Sequence, residues 1–241
     1  MSRLPLTAIC AVLATTFVGC AKFNSVAVPG SGQIEREDRV VHSFHKVSLS
    51  GHAELIVQQG DTEELTIEAD SNLFAYLQTE VKGDELTIGV KNGFDPQPTK
   101  PIRYFLTVKD LDSVSLAGSG SISTEEFAAD KLTVSIAGSA DAKLAYLDVK
   151  NLTISISGSG KVSAAGKSDK VSIKIAGAGE IRTKELQAKE IKVSVAGSGD
   201  AEVWATEKLD VNVAGSGDVR YKGDASVKQS VAGSGSVSKL K

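Results

Sequence analysis

Cysteine is almost missing from this chain, and where it occurs it is confined to one end. Of 241 residues two are cysteine, Cys10 and Cys20, which excludes a disulfide or a thiolate metal site from everything after residue 20. Aromatic residues supply only 5%, with Trp204 the single tryptophan, so a core must be built from Val, Ile, Leu and Ala. Histidine occurs three times, as His42, His45 and His52. Neither charge sign dominates. The net charge of −3 leaves no basic footprint for nucleic acid, and no nucleic-acid partner is expected. With 41% hydrophobic residues the chain is also too apolar for a disordered one. What remains is rich in glycine and β-branched residues, a composition suited to many short strands joined by tight turns.

The opening MSRLPLTAICAVLATTFVGC has Arg3 as a short basic region, then an apolar run from Leu4 to Val18. That run is too short for a comfortable membrane span and reads as an export signal over residues 1–19. Phe17-Val18-Gly19-Cys20 resembles the lipobox of bacterial lipoproteins. The resemblance implies that Cys20 is lipidated and becomes the mature N-terminus. Phe17 departs from the pattern, since Leu is usual three residues before the cysteine. An ordinary secretory signal cleaved after Ala14 or Ala21, and a retained signal anchor, remain the alternatives. Acyl chains would bury methylenes at roughly 0.8 kcal/mol each, enough to tether the chain to a membrane. Ala21, in place of Asp, points to the outer membrane. Residues 20–38 carry no sustained periodicity and contain Pro29-Gly30-Ser31-Gly32, and a tether is expected there.

A motif of Gly, small residue, then Gly or Ala begins at Gly118, Gly138, Gly158, Gly177, Gly197, Gly215 and Gly233. The spacings are 20, 20, 19, 20, 18 and 18 residues, and thirteen of the 23 glycines lie in these motifs. Each array strand runs in strict alternation into its motif, as in Leu132, Val134, Ile136 and in Val171, Ile173, Ile175. Alternation of period two means a strand with one buried face. A single unit of this size cannot bury its own apolar face, but equivalent strands stacked in parallel can. The expected fold is an all-β, single-stranded, right-handed parallel β-solenoid with coils of 18–20 residues, about seven coils long. An up-and-down barrel is the alternative, disfavoured because one turn type recurs once per unit. The domain is expected over 39–241, with irregular coils at 39–111 and regular coils at 112–241. Asn92–Pro101 holds three of five prolines and must be a loop or extended edge.

With these residues in view, the sequence from His52 to Ile88, followed by units such as Val193-Ser-Val-Ala-Gly-Ser-Gly-Asp200, resembles the head GIN domain family of auto-transporter adhesins. The resemblance covers roughly residues 40–241. It implies a β-solenoid-like domain, secreted or lipid-anchored, whose role is adhesion. No part of the 241 residues is patterned as a membrane-translocating barrel.

Candidate chemistry is sparse. Gly160 to Ser168 imitates a phosphate-binding loop but has five residues between its glycines and no helix after it. The three histidines do not share one strand face, so surface placement is expected over a metal site. The position after each motif forms a ladder of Ser121, Asp141, Lys161, Glu180, Asp200, Asp218 and Ser236. Asp200 and Asp218 are adjacent like charges there, relieved by solvent or by a cation such as calcium. The outward face carries Ser113, Ser115, Thr133, Ser135, Thr153 and Ser155, then Lys174, Lys192 and Asp210, a surface for glycan or, more remotely, ice. Tyr146, Trp204 and Tyr221 are the aromatic residues available to a glycan.

The function expected is therefore that of a non-enzymatic, outer-membrane lipoprotein, periplasmic or surface-facing, presenting a rigid surface for adhesion or envelope interaction, with no cofactor. Its partners would be the membrane, through the lipid, and a glycan or envelope protein. Two alternatives stand beside it: a protein that binds or cleaves envelope polysaccharide, and a periplasmic accessory protein with a protein partner.

Overall fold

In the 20-residue coils alternation of buried and exposed residues breaks three times, and those breaks are the corners of a three-sided stack. In the coil from Asp141 to Gly158, the breaks fall at Ala145-Tyr146, at Lys150-Asn151 and at Gly158-Ser159. The structure, a computed structural model, describes residues 25–240. Cys10, Cys20 and the export signal lie outside the described residues.

Nine strands precede the regular array: β1 (Val26–Pro29), β2 (Ile34–Arg39), β3 (Lys46–Gly51), β4 (Ala53–Gln59), β5 (Glu64–Asp70), β6 (Leu77–Lys82), β7 (Glu85–Val90), β8 (Phe94–Gln97) and β9 (Ile102–Val108). The array follows with β10 (Ser113–Gly118), β11 (Ser121–Thr124), β12 (Phe127–Gly138), β13 (Asp141–Gly158), β14 (Lys161–Gly177), β15 (Glu180–Gly197), β16 (Asp200–Gly215), β17 (Asp218–Lys222), β18 (Ser226–Gly233) and β19 (Ser236–Lys239). Every pairing from β10 onward is parallel and joins equivalent positions of successive coils. The result is a β-solenoid of about six turns rather than seven, because seven glycine corners bound six intervals. Inside it, Val134, Ile154, Ile173 and Val193 occupy one ladder in register, each fully buried. Such side chains contribute roughly 1.5–3 kcal/mol each on burial. Phe127 is the only aromatic ring fully buried after residue 112 among the described residues.

The glycine corners are fixed by how closely the coils approach. Gly177 has φ of +123°, and a Cβ there would lie 2.5 Å from the Gly158 carbonyl oxygen of the coil above. The same corner keeps the backbone ladder running: the Ala178 N–H donates to Gly158 O at 2.9 Å, and the Ser198 N–H donates to Gly177 O at 2.9 Å. Gly179, the second glycine of the same motif, is under a lesser constraint. At Gly179 φ is not positive, and the first atom a Cβ would meet is an Ile156 methyl. Ala140 fills this position natively and is fully buried.

Two expectations for the N-terminal part are corrected. Residues 39–111 are not simply irregular coils. β3 and β4 form a first parallel coil on β10 and β11, but the strands stacked above them turn back on themselves. β7 pairs antiparallel with β6, and β9 with β5, so both open edges of the first coil end in antiparallel strands. Phe44, Leu73, Phe74 and Tyr104 fill this cap. Burial pushes the Tyr104 hydroxyl far above its ordinary value. The second correction concerns the tether. Its later part is ordered: β1 pairs with β8, and β2 pairs antiparallel with β5. Apolar periodicity could not reveal β2, because its exposed side is held by cross-strand polar pairs such as Arg36 with Glu68 and Asp38 with Thr66. The proline-rich segment is the extended edge that its composition demands, with β8 inside it.

One buried carboxylate ties the cap together. Asp70 is fully buried and accepts hydrogen bonds from the Gly32 N–H at 2.7 Å, the Thr99 N–H at 2.8 Å and the Thr99 hydroxyl at 2.8 Å. Burial pushes its carboxyl up, but these donors together hold it below its ordinary value.

Substituting alanine at Gly177 should therefore cost much more than at Gly179. Gly177→Ala combines a left-handed backbone with a backbone clash, for about 2–4 kcal/mol. Gly179→Ala is expected to cost less than half as much, and chemical denaturation of the two variants compares them. For Asp70 the sign follows from its depressed pKa. Its stabilising contribution is complete above the unfolded-state carboxyl pKa and disappears as pH falls through the folded-state value. Asp70→Asn should lower stability at neutral pH by about 1–3 kcal/mol. It should also flatten the decline on acidification, and melting curves across the acidic range report both effects.

Candidate functional site

The three sides of the stack present different chemistry to solvent. On the second side, formed by β11, β17, β19 and the first parts of β13 to β16, charges are plentiful and several are paired. Arg182 meets Glu180 at 2.6 Å, while Lys184 and Arg220 both reach Glu202, at 3.1 and 3.5 Å. On the third side Lys150 pairs with Asp130 at 2.6 Å and Lys189 with Asp169 at 2.7 Å. The hydrogen bond from Lys189 holds the Asp169 carboxyl below its ordinary value. Exposed pairs like these add little stability, but they leave these two sides locally neutralised.

The first side, which ends at the glycine corner, is different. Ser113, Thr133 and Thr153 stand in one outward column, and Ser115, Ser135 and Ser155 in the next, each residue in register with its neighbours. Lys174 and Lys192 continue these columns, as the sequence indicates. A third column had gone unremarked: Ala137, Ser157, Ala176, Ala196, Ala214 and Ala232. Its signal lay in plain view, since the residue before each motif's first glycine is always Ala or Ser. With no larger side chain along it, this column floors a shallow trough of about 650 Å³, bordered by Ser155, Lys174, Ser194, Asn212 and Ser230.

The ladder after the glycine corner is assembled as expected, from Ser121 to Ser236. Asp200 and Asp218 do lie on adjacent coils. Each uses its Oδ1 to hold the coil below: Asp200 accepts the Asp218 N–H at 2.8 Å, and Asp218 accepts the Ser236 N–H at 2.9 Å and its hydroxyl at 2.7 Å. In the longer coils above, that N–H goes to a backbone carbonyl instead, as from Lys161 to Ala140. Among the described residues no group of three or more His, Cys, Asp or Glu is gathered as a metal site would require. His42, His45 and His52 are all exposed. Gly160–Ser168 runs within β14 and its approach, with no helix beside it, and Gly166 is simply a corner glycine with φ of +123°.

Of the three aromatic candidates, Tyr221 is partly buried against the core. Trp204 is half-buried, with the Lys222 ammonium 4.1 Å from its ring centre. Beside this pair Glu185 reaches Lys222 at 3.7 Å, a loose contact that leaves its carboxylate largely exposed, while Glu202 is engaged by Lys184 and Arg220. Tyr146 stands apart at 74% exposure. No described helix is long and apolar enough to cross a membrane.

A stack of parallel coils with glycine corners and an antiparallel cap defines a β-solenoid domain, and comparison with known proteins gives the family. Residues 43–225 match the family described as "Putative auto-transporter adhesin, head GIN domain", and the chain belongs to that family. Among solved structures it is similar to a "putative lipid binding protein" from Parabacteroides distasonis. Identity is 30%, the match covers 90% of this chain and 100% of that one, and the TM-score is 0.77. A "putative adhesin" from Bacteroides fragilis shares the fold at 24% identity, covering 88% and 100% of the two chains, with a TM-score of 0.82. No curated protein matches the chain.

Proposed function

We propose that the protein is a non-enzymatic, adhesin-type component of the bacterial envelope, acylated at Cys20, held by that lipid at the outer membrane and presenting its first side to a partner. Membership of an adhesin family supports the coarse role. The observation that carries the finer reading is the trough on the first side, floored by alanine and serine in a stack whose other sides carry ion pairs between coils. Alanine has no side-chain freedom to lose on contact, and serine has little, so a partner settling there meets a surface already in its bound form. Rigid stacking also keeps that surface flat over several coils. An apolar floor suits an acyl chain as well, which is the second reading. The name of the Parabacteroides distasonis relative, a lipid binding protein, favours it.

Acyl labelling of cells expressing wild type and Cys20→Ala, combined with protease treatment of intact cells, tests the proposal. The expected result is a labelled wild-type protein digested from outside, and an unlabelled variant released from the membrane. A labelled protein degraded only after the outer membrane is permeabilised would make it a periplasmic tethered scaffold and would end the adhesin reading.

A further inference from the structure

The corner between the second and third sides behaves unlike the other two. Four register shifts interrupt the pairing of the array, and three of them fall here, between Leu144 and Leu147, Ser163 and Ala165, and Thr183 and Gln187. The glycine corner has none. In repeat architectures, residues inserted between coils collect where the stack does not constrain them, and that place is often where partners bind. The profile of this corner changes from coil to coil accordingly. It stands high at Ala145-Tyr146, drops to the single residue Ala165, rises again at Lys184-Glu185 and drops at Trp204, which follows Val203 directly.

Tyr146 is the second observation. Its φ is +52°, a left-handed backbone that an aromatic residue rarely adopts, and it is 74% exposed. Glycine would hold this corner with less strain. The ring stands mostly in solvent and buries little against the fold, and strain of that kind points to a role outside it. Across the low point at Ala165, two coils or about 10 Å away, stands Glu185, which is paired with Lys222. Lys222 in turn lies over Trp204.

We infer that this saddle binds saccharide, with one sugar unit seated over Ala165 between Tyr146 and Glu185. A pyranose ring has an apolar C–H face and a rim of hydroxyls that both donate and accept. The solvent-facing Tyr146 ring offers the stacking surface for the first. The Glu185 carboxylate accepts from those hydroxyls and the Lys222 ammonium donates to them. Two coils apart, Tyr146 and Glu185 leave a gap about one ring wide that opens onto the second and third sides, so a chain can run across the corner. This site is separate from the trough on the first side and does not depend on the function proposed for it.

Trp204 is the only tryptophan in the chain, so its emission reports on Lys222 and Glu185 without any added label. Purified full-length protein in detergent is titrated with cellotetraose, chitotetraose and mannotetraose, read by Trp204 fluorescence and by calorimetry. At least one of them should bind and change the emission. Tyr146→Gly should weaken that binding about tenfold or more, while leaving the melting temperature unchanged or raising it, and Tyr146→Phe should retain binding. If no tetrasaccharide binds, if Tyr146→Gly binds as wild type does, or if Tyr146→Gly melts well below wild type, the inference is overturned. Surface exposure on cells is read independently, so the envelope proposal and the saccharide site fail separately.

Discussion

Successive coils pass so close at one corner that no side chain fits between them. A Cβ at Gly138 would meet the Gly118 carbonyl at 2.5 Å, and one at Gly177 would meet Gly158 at the same distance. That approach lets the N–H after each corner glycine donate to the glycine carbonyl of the coil above. Everything else is arranged about this fixed edge. The inward ladders of Val, Ile and Leu align because the corner sets their register, and they bury completely because the register repeats.

Freedom is distributed unevenly as a consequence. The strands leading into the glycine corner keep their alternation in every coil, so their outward columns are regular, and the alanine trough inherits that regularity. Variation in coil length, from 20 to 18 residues, is absorbed mainly at the opposite corner, where Tyr146 and Glu185 stand out. Where the coils shorten, side chains substitute for backbone: Asp200 and Asp218 take over amides that a carbonyl receives in longer coils. At the N-terminal end the stack is closed by reversing strand direction: β7 and β9 cover the first coil and pair in turn with antiparallel β6 and with β5 and β2.

The array was legible in the sequence because its two signals, alternation and recurrent glycine, are both enforced by stacking. Leu152, Ile154 and Ile156 read directly as an inward ladder. The charge ladder from Asp141 to Asp218 was equally legible, since register follows from counting. The cap was harder. Its antiparallel returns depend on which strand pairs with which across forty residues, and Val26–Pro29 and Ile34–Arg39 carry no apolar period to announce them. Asp70 was invisible for a related reason: its partners, Gly32 and Thr99, are loop residues brought together only by the fold. Tyr146 could be seen as an available aromatic, but its exposed position and left-handed backbone belong to the three-dimensional corner.

The claim on which the account rests is that equivalent positions of successive coils stack in parallel and in register. Spin labels placed at Ser115 together with Ser155, Ser194 or Ser230 test it by pulsed dipolar spectroscopy. The separations should grow by about 4.8 Å for each intervening coil, reaching about 19 Å for Ser194 and about 29 Å for Ser230. Separations that fail to rise steadily along this column, as in a closed barrel where its ends approach one another, would contradict it.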